Sequence, residues 1–369
     1  MFSKLRPFIF SLDPEAAHDL AIQSLKFNIL PKSIFSVEKE ELLETELLNE
    51  RIPNPIGLAA GFDKSAEVYN SLFKLGYGFV EVGTITPKRQ LGNPKPRVFR
   101  LEKEQALINR LGFNNHGSEI VSKRIEENLP SGFLGINVGP NKETKNKEDD
   151  YYICLSKLAA YAGYLTINIS SPNTEGLRDF HNQKELEKLL KGISKIKKDK
   201  NLTKPIVVKL SPDINDNEIS NILELINKYG VNGIIVSNTT DSNRENLTDS
   251  KKYEVGGLSG QPLRDLSTNL IKRFYKETKG KIQIIGVGGV DSGQAAFEKI
   301  SVGANAVQLY TGMVYKGPGV VKDIKKELIS ILKKENLKNI GEAVGINAWP
   351  SSSLHLYSCR KFICQKNAS

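Results

Sequence analysis

After Pro53-Asn54-Pro55 the chain settles into a repeating texture. Short apolar runs rich in β-branched residues alternate with longer stretches whose apolar positions recur every three or four residues. Runs of the first kind, bounded by Gly, Pro, Asn and Ser, read as buried strands, and the periodic stretches read as amphipathic helices. The strands predicted this way span 56–58, 79–82, 133–138, 164–167, 206–210, 233–236, 282–287 and 306–309. The helices span 67–75, 117–128, 184–197, 217–229, 266–278, 294–300 and 320–334. Two further runs, 97–101 and 106–109, read as a hairpin outside this series. Eight strands alternating with helices predict an α/β fold, a parallel (β/α)8 TIM barrel, with a doubly wound open sheet as the alternative. The strand ends favour the barrel. Chemistry there gathers at the C-terminal ends of many strands, and nearly every strand here runs into polar residues or glycine.

Ahead of this region the period is helical. Leu5, Phe8, Ile9 and Leu12 fall at i, i+3, i+4 and i+7, one helical face. Asp13 reads as an N-cap, with Pro14 at the first helical position. The second helix carries Ala17, Leu20 and Ala21 on one side, with Ile22, Leu25 and Ile29 nearby. Neither segment has the length needed to cross a bilayer, and no signal-peptide cleavage pattern is present. Such a pair either caps a core or rests its apolar face on a membrane surface. The expected organisation is a small N-terminal two-helix extension over 1–40, the barrel over 41–345 and an atypical tail over 346–369, whose lack of amphipathic period is compatible with disorder.

The segment 168–174, Asn-Ile-Ser-Ser-Pro-Asn-Thr, follows the strand 164–167 and crowds Asn168, Ser170, Ser171, Asn173 and Thr174 into one loop, with Gly176 and Arg178 just beyond. Alone, this is ordinary turn chemistry; the other strand ends give it company. The first leads into Ala59-Ala60-Gly61-Phe62-Asp63-Lys64, small residues that admit a close ligand, then a lysine. The second gives Gly83-Thr84, and the hairpin leads into Asn109-Arg110-Leu111-Gly112-Phe113-Asn114-Asn115. The third carries Asn137 and Gly139, and the sixth ends Ser237-Asn238-Thr239-Thr240. The fifth places Lys209 beside Val207 and Val208, and burying such a cation is costly unless a charge or polar ligand meets it. The seventh ends Gly286-Val287-Gly288-Gly289-Val290-Asp291 and the eighth Tyr310-Thr311-Gly312, the positions where barrels commonly hold a phosphate. The glycine run is not a dinucleotide fingerprint, since its third glycine position is Asp291. Amides at Asn109, Asn137, Asn168, Asn173 and Asn238 both donate and accept, which suits a planar heterocycle with alternating C=O and N–H edges. No histidine or carboxylate sits among them, which argues against a hydrolase triad.

Composition changes this picture little. Across 369 residues, 52 basic against 42 acidic side chains leave a net charge of +10. Much of the excess is spread thinly, as over 191–204, which describes a solvated helix face and not a nucleic-acid site. A mildly basic surface also suits an anionic membrane or a small acidic substrate. The three cysteines, Cys154, Cys359 and Cys364, form no disulfide framework or zinc spacing, and the four histidines are scattered. A reducing compartment and no metal are expected.

Taken jointly, the segments 59–64, 109–115, 168–174, 237–240, Leu258-Ser259-Gly260, 286–289 and 310–312 resemble the class 2, quinone-dependent dihydroorotate dehydrogenases. The likeness runs in order over nearly the whole chain, from Leu12 to about Gly345; no single segment is specific, but the set is. The resemblance implies one FMN per subunit in the barrel mouth, held by Ala60, Gly61, Phe62, Asp63, Lys64, Thr84, Asn137, Asn168, Lys209, Ser237, Gly260, Gly289, Tyr310 and Thr311. It implies dihydroorotate or orotate held by Lys64, Asn109, Arg110, Leu111, Gly112, Phe113, Asn168, Asn173, Asn238 and Thr239. It further implies Ser171 as the base at C5 while hydride leaves C6 for the flavin, with Thr174 and a water as relays and Phe113 restricting solvent. Lys209 would stabilise negative charge on the reduced ring, and electrons would pass on to a membrane quinone, a step of de novo pyrimidine biosynthesis.

Class follows from two features. Class 1 relatives use a cysteine where this chain has Ser171, and they lack the N-terminal extension, which in class 2 forms an apolar tunnel entered from the membrane. His18, Arg100 and Tyr310 are the expected quinone end, an exposed helix residue being the alternative for His18. The resemblance implies a peripheral membrane protein on the cytoplasmic face of the bacterial inner membrane, with no obligate protein partner. Relatives usually stop near Glu342-Ala343-Val344-Gly345, whereas this chain continues through Trp349-Pro350-Ser351 to Ser369 with Cys359 and Cys364. Two rivals stand beside this reading: a class 1 enzyme reducing fumarate or NAD, and a non-catalytic flavin-binding or membrane-scaffold protein. The presence of Ser171, Lys64 and the asparagine set favours an enzyme.

Overall fold

A computed structural model describes residues 2–29, 31, 34, 35, 40–174 and 176–349. In chain order the elements are α1 (Phe2–Ser11), α2 (Pro14–Lys26), β1 (Thr45–Leu47), β2 (Glu50–Ile52), β3 (Ile56–Leu58), α3 (Tyr69–Lys74), β4 (Phe79–Ile85), β5 (Val98–Leu101), β6 (Ala106–Asn109), α4 (Ser118–Glu127), β7 (Phe133–Val138) and α5 (Lys147–Leu158). They continue with β8 (Tyr164–Asn168), α6 (Gln183–Asp199), β9 (Ile206–Leu210), α7 (Asp216–Lys228), β10 (Gly233–Val236), β11 (Gly257–Gly260), α8 (Arg264–Thr278), β12 (Gln283–Val287), α9 (Gly293–Ser301), β13 (Ala306–Leu309), α10 (Thr311–Lys316) and α11 (Val320–Lys334).

Strands β3, β4, β7, β8, β9, β10, β12 and β13 pair in parallel in that order, and β13 returns to β3 to close the barrel. The open-sheet alternative is therefore excluded. Because side chains alternate across a strand, each barrel strand divides its residues between two layers. The outward set, with Val80, Val82, Ile136, Ile167, Val208, Ile234 and Val307, packs under the helices as the main core. The inward set fills the barrel. Its lower layer is apolar, with Phe79, Tyr164, Val207, Ile235, Ile285 and Ala306 packed on Leu47, Leu48 and Ile52 of the β1–β2 hairpin. Two glycines make room for the rings: a Cβ at Gly57 would lie 2.4 Å from Phe79, and one at Gly135 would lie 2.2 Å from Tyr164.

Five elements were absent from the expectation. The β1–β2 plug and β11 are short strands without a distinctive apolar run, and β11 completes a three-stranded sheet with the expected hairpin, in the order β11-β6-β5. The six-residue α10 is too short to show a period. Helix α5 does carry the stripe Tyr151, Cys154, Leu155 and Leu158, all buried at i, i+3, i+4 and i+7, behind a first turn of Glu148, Asp149 and Asp150 that reads as loop.

The extension docks across the barrel mouth. Asp13 caps α2, accepting from Glu15 and Ala16 N–H, as its sequence position predicts. Helix α2 buries Ile22 and Leu25, whereas α1 has no fully buried residue. Leu5, Phe8, Leu20, Phe27 and Ile29 stay exposed. Among the described residues no helix is long and apolar enough to cross a membrane. At the far end, Gly345 and Asn347 N–H bond to Ile300 and Ser301 carbonyls, and Ala348 is fully buried. The remainder of the predicted tail, with Cys359 and Cys364, lies outside the described residues.

Candidate active site

The inward layer above the apolar floor is polar. Asn137 of β7, Asn168 of β8 and Lys209 of β9 reach it at positions that alternate with outward apolar neighbours, and all three are buried. Asn168 Nδ2 donates to Thr84 Oγ1 at 2.9 Å and to Asn137 Oδ1 at 3.2 Å. Thr84 Oγ1 in turn donates to Asn137 Oδ1 at 2.6 Å. Asn238 Nδ2 meets Ser170 Oγ at 3.0 Å, and Asn238 Oδ1 accepts from Thr239 N–H. Four separate strand ends are thus tied into one amide floor.

One cavity opens on this floor. It brings together Ala60, Asn109, Lys209, Ser237, Asn238, Thr239, Gly260, Gly289, Tyr310 and Thr311 of the expected set. Among the described residues no hydrogen bond or ion pair meets the Lys209 ammonium, and burial pushes its pKa down against the pull of Glu81. Gly289 has φ +68° and Gly260 φ +98°, and a Cβ at either would strike backbone or Arg264 within 2.6 Å. Only glycine keeps these walls open. Thr311 Oγ1, at the start of α10, bonds to Ser259 Oγ at 2.8 Å.

Residues 169–174, which follow β8, reach the cavity wall through Ser170, whose Oγ accepts from Asn238 Nδ2. Ser171 and Thr174 are buried, and Ser171 Oγ accepts from Asn173 N–H at 3.2 Å. A Cβ at Gly139 would meet the Thr84 methyl at 2.8 Å and the Phe113 ring at 3.0 Å, so both stand against this glycine. The loop is anchored by Arg178, which donates to Asp213 at 3.0 Å and to Asp241 at 2.9 Å.

The remaining expected residues separate. Asn109 Nδ2 reaches the Gly257 carbonyl at 3.5 Å. Leu111 and Gly112 are held through their carbonyls by Asn93 N–H and Gln90 Nε2. Arg110 turns outward to Glu254 at 2.8 Å and stacks on Phe99. The Asp63 carboxylate accepts from Glu67 and Val68 N–H and so shapes the turn before α3, while Gly61 N–H bonds to the Gly83 carbonyl. Phe62 and Lys64 face the extension. Lys64 Nζ lies 3.2 Å from His18 Nε2, and the rings His18, Phe62 and Tyr310 follow one another edge to face. Burial holds His18 down to about 3 and Lys64 down to about 8, and raises Tyr310 to about 12. Arg100 donates to the Phe10 and Leu12 carbonyls and lies 4.7 Å over the Phe10 ring, so it ties α1 to the small sheet.

Residue reading missed the groups beneath the floor. Glu81 of β4 is fully buried and accepts from Asn137, Tyr164, Thr166 and Gln308. Gln308 lines the cavity, and its Oε1 has no partner among the described residues. The signal was present in Phe79-Val80-Glu81-Val82 and Ala306-Val307-Gln308-Leu309, where a polar residue interrupts an apolar strand just as Lys209 does.

Comparison with known proteins identifies the family. The family model described as dihydroorotate dehydrogenase matches residues 42–332. The chain is 43% identical over 352 residues to the mouse mitochondrial dihydroorotate dehydrogenase (quinone), covering 91% of this chain and 87% of that one. It is 44% identical over 342 residues to the dihydroorotate dehydrogenase (quinone) of Bartonella tribocorum, covering 91% and 93%. A crystal structure of the Eimeria tenella enzyme in complex with ferulenol superposes with a TM-score of 0.87 at 39% identity, covering 92% of this chain and 96% of that one.

Proposed function

The chain belongs to the dihydroorotate dehydrogenase family, and from that premise we propose how its residues oxidise dihydroorotate to orotate, with FMN as hydride acceptor and a membrane quinone as final acceptor. The observation that carries the reading is the buried ammonium of Lys209, which meets no hydrogen-bond or ion-pair partner among the described residues, beside a floor of directed amides.

The residues present fit FMN. A buried cation needs an anionic or electron-rich partner, and Gln308 Oε1 is a buried acceptor awaiting an N–H. The glycine walls at Gly260 and Gly289, with the start of α10, make a cradle of the kind that holds phosphate in barrels. When bound, FMN would supply the two-electron acceptor for dihydroorotate and hand those electrons to quinone.

The chain's own part is binding, proton removal and exclusion of water. Asn109, Asn168, Asn173 and Asn238 hold the pyrimidine edges, and Lys64 holds the substrate carboxylate by a charge-assisted bond. Ser171 Oγ takes the proton from C5. A hydroxyl is a weak base, so its own proton must leave in the same step, through Thr174 and a water, while Phe113 and the loop keep bulk water out. With FMN bound, Lys209 would stabilise negative charge on the flavin.

The rings of His18 in α2, Phe62 and Tyr310 run from the extension to the cavity, Arg100 ties α1 to the small sheet, and His18, Arg100 and Tyr310 form the proposed quinone end. The exposed Leu5, Phe8, Leu20, Phe27 and Ile29 support attachment of the extension to a membrane surface. We place the protein as peripheral, on the cytoplasmic face of a bacterial inner membrane.

The test is the anaerobic visible spectrum of the purified protein. A yellow protein that bleaches with dihydroorotate and recovers with a soluble ubiquinone analogue supports both half-reactions. Recovery only with fumarate or NAD would overturn the quinone assignment, and a colourless protein would overturn FMN.

A further inference from the structure

Glu81 of β4 is fully buried with four donors on it and, among the described residues, no acceptor. Asn137 Nδ2 reaches Oε1 at 2.8 Å, while Tyr164 OH at 2.8 Å, Thr166 Oγ1 at 3.1 Å and Gln308 Nε2 at 3.1 Å reach Oε2. That is the pattern of a carboxylate, which can only accept. Asn137 must therefore turn its NH2 toward Glu81, which leaves Asn137 Oδ1 facing up to receive Thr84 Oγ1 and Asn168 Nδ2. Asn168, committed to donating downward, turns Oδ1 the other way, toward Ser170 N–H at 3.3 Å, Ser170 Oγ at 3.2 Å and Asn238 Nδ2 at 3.4 Å. Asn238 then presents Oδ1 to Thr239 N–H at 2.8 Å. Ser170 N–H and Thr239 N–H can only donate and hold Asn168 and Asn238 in this same sense, whereas Asn137 meets only side chains among the described residues and takes its direction from Glu81.

We propose that Glu81 is a positioning residue for this site: it sets the donor–acceptor direction of Asn137, so that Thr84 and Asn168 find an acceptor there and the amide chain keeps the one edge pattern it offers a planar heterocycle. An amide turned over exchanges its donor for its acceptor at nearly the same place, so the shape of the site survives while its hydrogen bonds to the ligand become unmatched. Unmatched buried polar groups carry a larger penalty than a merely absent bond. The proposal deepens the dihydroorotate reading and rests on it.

The measurement is the equilibrium dissociation constant of orotate, followed by perturbation of the flavin spectrum, with FMN content measured alongside. Four proteins are compared: wild type, Glu81→Gln, Tyr164→Phe, and the double variant Glu81→Gln with Asn137→Asp. In the single variant the new carboxamide can donate, so Asn137 loses its reason to point one way. Orotate should bind about tenfold more weakly or worse while FMN is retained. In the double variant the carboxylate moves one link up the chain. It accepts from Gln at position 81 on one oxygen and from Thr84 and Asn168 on the other, restoring the original direction, so affinity should return to within about threefold of wild type. Tyr164→Phe removes a donor from Glu81 without touching the chain and should leave affinity within about twofold.

Orotate bound as tightly by Glu81→Gln as by wild type overturns the proposal. So does an equal loss in Tyr164→Phe, which would make Glu81 a general core anchor. Should Glu81→Gln not fold, the double variant decides: a folded double variant that binds orotate within about threefold of wild type supports the proposal, and one that folds but binds about tenfold more weakly or worse overturns it. Wild type that shows no response to orotate overturns the functional reading itself, a result separate from all of these.

Discussion

Lys64 Nζ and His18 Nε2 lie 3.2 Å apart, so the first barrel loop and the second helix of the extension meet through two bases. Both pKa values are lowered chiefly by burial, and His18 is lowered further by the Lys64 charge. Glu15 and Asp19 of the same helix, with Asp63, pull Lys64 the other way, and Arg97 adds to the push downward. The joint between extension and barrel is therefore sensitive to pH on both sides of neutrality.

On the acid side the sign follows from His18. Burial, with the Lys64 charge, holds its pKa down to about 3, against the ordinary 6.5 of a histidine. The unfolded chain thus binds a proton that the folded one refuses. Stability is intact above about pH 6.5 and declines as pH falls from there toward 3, by up to about 1.4 kcal/mol per pH unit from this group. Thermal midpoints of wild type and His18→Gln between about pH 7 and pH 4 check this. The variant should show a shallower decline, and equal slopes would remove His18 as the source.

On the alkaline side Lys64 carries its charge below about 8 and loses it above. Orotate affinity should therefore fall as pH rises through that value, because the carboxylate loses a charge-assisted partner. Lys64→Met should bind orotate about tenfold more weakly or worse near pH 7 and show no such step. A step of the same size in the variant would assign it to another group.

Ser171→Ala should slow flavin reduction by dihydroorotate about 10²–10⁴-fold, the usual worth of a positioned proton acceptor, and leave FMN content unchanged. Rapid-mixing absorbance under anaerobic conditions gives the rate. Near-normal reduction would take the base role away from Ser171.

Arg178 holds the loop that carries Ser171 and Thr174 to the ends of β9 and β10, through Asp213 and Asp241. Asp213 also accepts from Thr240 and Ser242 hydroxyls, so it is fixed before Arg178 arrives. Arg178→Met should release the loop, lowering kcat/KM about tenfold and speeding orotate release, with FMN bound as before. An unchanged release rate would mean that the loop is held by its buried Leu177 and Phe180 instead.

Much of this was written in local sequence. Strand–helix alternation specified the barrel because covered parallel strands must be short and apolar, and helices between them must show one apolar stripe. Polar strand ends marked the rim, and Asn168, Lys209 and Gly289 could be named there because each breaks an apolar or extended pattern. The Asp13–Pro14 start of α2 was equally local, since a cap needs only its own next three residues.

What sequence could not carry was direction and pairing. That Arg110 turns to Glu254, that Lys64 meets His18 and that Arg178 meets Asp213 depends on strand ends brought together by closure of the barrel. Closure joins β13 to β3 across most of the chain, a relation no short-range pattern encodes. Glu81 is the sharpest case. Its position inside an apolar strand was visible, but its control of the amide floor exists only once β4, β7, β8 and β13 bring their inward side chains to one level. Residue type sets which bonds each group is able to make, and the closed barrel decides which of them it does make.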